Sequence, residues 1–187
     1  MNTAKVIAIS GASGAGKTTV VKILAQELNC PILLFDDYIS KDTYPKNMKR
    51  WLNNGANVSL IKTPNFVDSL KALTSTNTKP YIFIEEPFGK ERDAMSSLID
   101  YVVLLDQPLE LCLTRLIKRY TQSPHPSAVN YISNFLNMYE DHFRDIYSTT
   151  VKQVSRNCDL RISEGVSIKE TIDVINNWLK NQPNRQL

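Results

Sequence analysis

The chain has 187 residues, 42% hydrophobic and 22% charged, with a formal net charge of +3. That length suits one domain, residues 1–187, able to bury about 70% of its unfolded surface without disulfides or metals. So small a charge, with no dense Lys/Arg run, argues against a nucleic-acid partner. No apolar run approaches a membrane span, and Cys30, Cys112 and Cys158 lack C-x-x-C spacing, so the expectation is a soluble cytoplasmic protein with reduced thiols.

Ala4 to Ile9 is almost wholly apolar, which predicts a central parallel strand covered on both faces. Three glycines follow, then Lys17, Thr18 and Thr19. Val20, Val21, Ile23, Leu24 and Leu28 next make an apolar stripe at helical spacing, which Cys30-Pro31 stops. Ile32-Leu33-Leu34-Phe35 reads as a second buried strand ending at Asp36-Asp37. Residues 38–59 are polar, with Pro45 and Gly55, and read as a loop-rich insertion rather than a core element.

Thr63-Pro64 is a helix start, threonine as cap and proline at the first helical position, with Phe66, Val67, Leu70 and Leu73 on the buried face. Tyr81 to Ile84 is a third strand ending in Glu85-Glu86-Pro87. A short helix around Glu91 to Leu98 and a fourth strand, Tyr101 to Leu105, come after it. Pro108 opens a helix whose buried stripe is Leu109, Cys112, Leu113, Leu116 and Ile117, and residues 121–127 are a loop. A long helix from about Ser127 to Tyr147 is expected to bury Ile132, Phe135, Leu136, Tyr139, Phe143 and Ile146. Asp159 to Ile162 is a fifth strand, Ser167 to Lys180 the last helix, and residues 181–187 are expected to fray. The alternation implies an α/β fold, a five-stranded parallel sheet between two helical layers. Ligands on such a sheet sit at the carboxyl ends of its strands, which singles out residues 11–19, Asp36-Asp37 and Glu85-Glu86.

Gly11-Ala12-Ser13-Gly14-Ala15-Gly16-Lys17-Thr18 fits G-x-x-x-x-G-K-[ST], a phosphate-binding P-loop. Its glycines let successive backbone N–H groups converge on a phosphate, and the following helix aims its positive end at the same point. Gly11, Ser13, Gly14, Ala15, Gly16, Lys17, Thr18 and Thr19 are the candidate ATP-binding residues. Lys17 would reach the β- and γ-phosphates, the Thr18 hydroxyl would complete a Mg²⁺ shell, and Glu85 would hold Mg²⁺ through water or fix the substrate.

Neither an N-K-x-D tetrapeptide for guanine nor an L-S-G-G-Q signature is present, which sets aside GTP-binding switches and ABC-type ATPases. A compact small-molecule kinase is left, needing a base, a Mg²⁺ site and cations over the transferred phosphoryl group. Asp36, expected at the tip of the strand beside the P-loop, is the candidate base; such a carboxylate contributes about 10²–10⁴-fold in rate. The structural alternative is a carboxylate that merely caps the next turn. Arg115 and Arg119 stand four apart on one helix face ahead of a proline-containing loop, so residues 115–127 read as a lid that brings guanidinium groups to the phosphates. On the bland reading they only favour the helix dipole. The insertion is the natural acceptor pocket: Tyr44 and Trp51 to stack on a planar ring, and Lys46, Lys49 and Arg50 to meet an anionic group. A solvated basic loop with a structural tryptophan explains the same residues. An NTPase or nucleotide-dependent regulator, with water as acceptor, is the competing class.

The chain resembles the uridine kinase-like branch of P-loop kinases, which includes the nicotinamide riboside kinases. The resemblance rests on residues 11–19, on Asp36-Asp37-Tyr38, on the strand ending at Glu85, on Arg115-x-x-x-Arg119 and on Asn157-Cys158-Asp159-Leu160-Arg161-Ile162 as closing strand. It implies a P-loop NTPase fold of three layers (α/β/α) with a five-stranded parallel core, a substrate insertion at 38–59 and a helical lid. It also implies Asp36 as base, Thr18 and Glu85 as Mg²⁺ supports, and Arg115 and Arg119 as phosphate contacts; with the residues read from the insertion, Asp36, Tyr38, Tyr44, Trp51 and Glu85 are the candidate substrate residues. ATP and a small-molecule acceptor are the expected partners, with no membrane; a homo-oligomer is left open. Two departures concern the acceptor: Glu86-Pro87 stands where uridine kinases carry glycine, and Ile39 where they carry an aromatic. Uridine or cytidine is the first expectation, nicotinamide riboside or another small alcohol the alternative.

Overall fold

Period-two alternation along the first strand, β1 (Lys5–Ser10), sends Ile7 and Ile9 to one face of the sheet and Val6 and Ala8 to the other. The computed structural model describes residues 4–122 and 128–182. β1 is joined by β2 (Ile32–Leu33), β3 (Tyr81–Glu85), β4 (Tyr101–Leu105) and β5 (Leu160–Ile162) in one parallel sheet of order β2-β3-β1-β4-β5. Helices α1 (Lys17–Leu28) and α8 (Ile168–Lys180) cover one face through Val20, Val21, Leu24, Ile172, Ile175 and Leu179. Helix α3 (Pro64–Thr76) and the short α4 (Asp93–Ser96) cover the other through Phe66, Leu70 and Met95. Two dry layers of packing around the same strands fix the sheet, and its carboxyl ends are presented together. None of the described helices is long and apolar enough to cross a membrane.

The strand order changes one expectation. β3, not β2, lies beside β1, with Ile9 opposite Glu85 in the register. Glu85 therefore stands next to the P-loop, and Asp36 lies one strand further out. β2 is also shorter than its apolar run suggests. The chain leaves the sheet after Leu33 and makes a 3₁₀ turn over Phe35–Tyr38, because Phe35 has a better place to bury its ring. It packs edge-on to Phe66 and Phe88, at ring-centroid distances of 6.1 and 5.9 Å.

The insertion is not merely loop. It forms helix α2 (Met48–Asn53), capped by the Asn47 side chain accepting from the Arg50 N–H at 2.8 Å, and a 3₁₀ turn over Val58–Leu60. Trp51, Ala56, Val58 and Ile61 close on Phe35, Phe88 and Ile146 as a small third core. Thr63 precedes α3 as expected but makes no capping bond; its hydroxyl accepts from Arg92 instead.

Helix α5 (Leu109–Thr121) carries the expected stripe. The long helix differs. α6 (Ala128–Met138) passes through a π-turn at Tyr139–Phe143 into α7 (Arg144–Ser155), so the helical run ends at Ser155 rather than near Tyr147. The π-turn inserts a residue and rotates the faces of α7 relative to those of α6. Phe135 and Tyr139 pack on Leu116 of α5, whereas Ile146 joins the insertion core. Leu136 falls off both faces and is 40% exposed instead of buried. The end of the expected lid, residues 123–127, the proposed helix start at Ser127 and residues 183–187 of the expected frayed tail lie outside the described residues.

Candidate active site

The loop between β1 and α1 holds Gly11, Gly14 and Gly16 at φ of +139°, +85° and +99°, a region that side chains with a Cβ avoid. Space matters as much as φ at two of them. A Cβ on Gly14 would lie 2.3 Å from the Cys112 carbonyl oxygen of α5, and one on Gly11 2.6 Å from that of Leu105. Glycine is thus what lets the P-loop nest between β4 and α5.

A cavity of about 550 Å³ opens above this loop. Gly11, Ser13, Gly14, Gly16, Lys17, Thr18 and Thr19 line it, together with Asp36, Tyr44, Glu85, Arg115 and Arg119. Ala15 does not: its methyl is in the core and its N–H donates to the Ala12 carbonyl at 3.1 Å. Lys17 is buried; its ammonium donates to the Ala12 carbonyl at 3.0 Å and lies 3.6 Å from a Glu85 oxygen. The Thr18 hydroxyl donates to the other Glu85 oxygen at 2.7 Å. Hard oxygen donors on a hydroxyl and a buried carboxylate, one residue from a lysine, suit Mg²⁺, which keeps several waters and takes few protein ligands. Arg115 donates toward the carbonyls of Gly14 and Ala15 at 3.4 and 3.5 Å, and Arg119 lies over the ring of Tyr120 at 5.5 Å. Asp36 sits on the 3₁₀ turn with its carboxylate solvent-accessible at the cavity wall.

The rest of the lining is aromatic and aliphatic. Phe35, Met48, Ile61 and Phe88 come from the insertion side, and Phe143, Ile146 and Tyr147 from the π-turn and α7, with Tyr147 beside Ser13 of the P-loop. Burial first, and then the negative charge of Asp36, push the Tyr44 hydroxyl up to about 12. Burial likewise holds the Tyr147 hydroxyl well above the ordinary tyrosine range.

Several sequence expectations fall elsewhere. Trp51 is 4% exposed in the small core, and its indole N–H donates to the Asn57 carbonyl at 2.8 Å, so it stacks on protein rather than facing the cavity. Tyr38 packs edge-on against Phe66, 5.2 Å between centroids, also away from the cavity. Lys49 pairs with Asp141 of the π-turn at 2.6 Å, and Lys46 and Arg50 are exposed outside the cavity. Phe143 and Ile146 were legible only as part of a core stripe, and Tyr147 only as the expected helix end, since a residue facing an apolar cavity has the same helical spacing as one facing another helix. Glu86 and Arg92, both buried and paired to each other, carry no sequence signal as a pair at all. Burial pushes the Glu86 carboxyl up, against the opposing pull of Arg92.

No family model matches the chain. Among curated proteins, it is 25% identical to a uridine kinase of Staphylococcus carnosus over 212 residues, covering 100% of both chains. It is 26% identical to a uridine kinase of Schizosaccharomyces pombe, covering 93% of this chain and 43% of that one. Among solved structures, a sugar kinase from Janibacter sp. superposes with a TM-score of 0.59 at 17% identity, covering 96% of each chain. The shikimate kinase of Aquifex aeolicus does so at 0.52 and 19%, covering 94% of this chain and 96% of that one. The three-layer α/β/α fold of P-loop kinases is thereby shared, over essentially the whole chain.

Proposed function

We propose that this chain is an ATP- and Mg²⁺-dependent kinase that transfers the γ-phosphate to a hydroxyl of a nucleoside-like small molecule, with uridine and cytidine as first acceptors and nicotinamide riboside or another small alcohol as the alternative. The observation that carries this reading is the continuity of the cavity. Lys17, Thr18, Glu85, Arg115 and Arg119, the Asp36 carboxylate, and an aromatic chamber of Phe35, Phe88, Phe143 and Tyr147 line one continuous space. Among the described lining residues the cations are Lys17 and Arg115, which bond P-loop carbonyls, and Arg119 one turn further along α5, so an acceptor carrying a carboxylate or phosphate would compete with the nucleotide for them. An uncharged ring fits the chamber, and the curated relatives bearing the name uridine kinase support the same class.

In this reading Asp36 accepts the proton of the acceptor hydroxyl as its oxygen forms a bond to the γ-phosphorus and the bond to the β-phosphate oxygen breaks. Lys17, Arg115 and Arg119 stabilise the charge that spreads over the transferred group. Thr18 and Glu85 hold Mg²⁺, which supplies charge neutralisation between the phosphates when bound. ADP release should be stimulated by a member of a panel of nucleosides, sugars and vitamins, with the phosphorylated acceptor detected by mass. Nucleotide hydrolysis that no small molecule stimulates would point instead to the NTPase class.

A further inference from the structure

Glu86 and Arg92 are 0% and 2% exposed, and nothing in the reaction proposed above uses them. Their bonds lead to the acceptor half of the site from three directions. Arg92 donates through Nε and Nη2 to the two Glu86 oxygens, and through Nη1 to the Ile61 carbonyl at 3.1 Å and the Thr63 hydroxyl at 2.9 Å. Its guanidinium stands 5.3 Å from the ring centroid of Phe35, the residue before Asp36. Glu86 directly follows Glu85, and its carboxylate also accepts from the Phe88 N–H at 3.3 Å. Phe35, Ile61 and Phe88 all face the cavity.

We propose that the buried Glu86–Arg92 pair is a positioning device for the acceptor, clamping the end of β3, the exit of the insertion and the turn that carries Asp36 into one geometry. The inference rests on the kinase reading above. Residues 35–61 leave the sheet and have no strand neighbour to hold them, so their placement against β3 must come from side chains. A planar guanidinium with fixed donor directions sets orientation as well as distance, which an apolar contact does not. Stability alone is a poor reason for such a pair, because apolar residues of similar volume commonly serve as well. The nucleotide half has supports that survive loss of the side-chain pair: the glycines, Lys17, the Thr18–Glu85 bond, and the Glu86 backbone, whose N–H donates to the Ile9 carbonyl at 3.2 Å and whose carbonyl accepts from the Ser10 hydroxyl at 2.6 Å.

The test compares Arg92→Lys, the double variant Glu86→Leu/Arg92→Met and Thr63→Val with the wild type. Initial rates are taken with MgATP and uridine, cytidine and nicotinamide riboside as probes, alongside thermal unfolding. Arg92→Lys keeps the charge and loses the fork; a displacement of about 1 Å at a reacting centre costs about 100-fold. The expectation is a loss of about 10- to 100-fold in acceptor kcat/KM for Arg92→Lys and for the double variant, with the KM for MgATP within about 2-fold of wild type. Thr63→Val, which removes one bond and is safest for folding, should raise the acceptor KM by about 3- to 10-fold. Folded variants with wild-type acceptor kinetics, or with acceptor and MgATP parameters falling together, would overturn the positioning role while leaving the kinase reading intact. A wild type that phosphorylates none of the three probes nor any member of the wider panel would overturn the kinase reading, and the clamp with it.

Discussion

Replacing Gly14 by alanine isolates the contribution of the P-loop backbone, and the size of the effect can be worked from a dihedral angle and a distance. At φ +85° an L-residue costs about 1–2 kcal/mol. The new Cβ would also sit 2.3 Å from the Cys112 carbonyl oxygen, where ordinary contact begins near 3.4 Å, so the loop or α5 must move by about 1 Å. Overpacking of that kind adds about 1–3 kcal/mol. The sum, about 2–5 kcal/mol, lowers the unfolding midpoint by roughly 4–20 °C in a chain of this size. The same displacement shifts the N–H groups that would cradle the phosphates and, through α5, Arg115, and a misplacement of about 1 Å weakens the interaction by about 100-fold. At ATP of 100 times the wild-type Kd, bound nucleotide should stabilise the wild type by about 2.7 kcal/mol and Gly14→Ala by only about 0.4. Thermal unfolding with and without MgATP reads both effects in one assay. Gly55→Ala is the control: φ is +94°, but nothing lies within 4 Å of the new methyl. It should show the backbone cost and the full ATP shift. A Gly14→Ala protein that keeps the wild-type ATP shift would show that close approach to α5 does not shape the phosphate cradle.

Trp51→Phe should lose about 1–2 kcal/mol in urea unfolding, because the Asn57 carbonyl loses its donor, with the acceptor KM of this ring-conserving variant unchanged, and Trp51→Ala should lose about 3–5 kcal/mol. A raised KM without lost stability would restore the stacking role that the sequence suggested. The pH dependence of the acceptor KM tests the tyrosines of the chamber. A raised folded-state pKa keeps a phenol neutral to higher pH, so with Tyr44 up to about 12 and Tyr147 raised as well, the KM should show no break near 10. A rise with a midpoint near 10 would mean that at least one of the two hydroxyls is open to water when the acceptor binds.

The sheet was legible because its information is local. Apolar runs bounded by Pro31, Pro87 and Pro108 mark the strand ends and helix starts, and the motif at residues 11–18 needs only its own spacing. Strand order is not local, and so Asp36 was expected beside the P-loop, where β3 and Glu85 stand. The insertion was harder for another reason. Its core draws Trp51, Ala56, Val58 and Ile61 from a polar stretch and completes itself with Phe35, Phe88 and Ile146 from three distant segments, which leaves no periodicity to read. Thr63 shows the same limit in one residue: the threonine-proline pair marks the helix start correctly, yet the hydroxyl serves Arg92, a partner 29 positions away. Tyr44, Arg115 and Arg119 do reach the cavity, whereas Tyr38 and Trp51 are taken by packing.

In the proposed reaction Asp36 is the base for phosphoryl transfer to a small acceptor. The decisive measurement is ³²P transfer from γ-labelled ATP to uridine, cytidine and nicotinamide riboside, in wild type and Asp36→Asn, with MgATP affinity measured on the same preparations. The wild type should label at least one of these acceptors, and Asp36→Asn should lose about 10²–10⁴-fold in that rate while binding MgATP as the wild type does. Asp36→Asn labelling the acceptor at the wild-type rate would contradict the assignment of the base. ATP hydrolysis that no acceptor accelerates in the wild type would contradict the kinase itself.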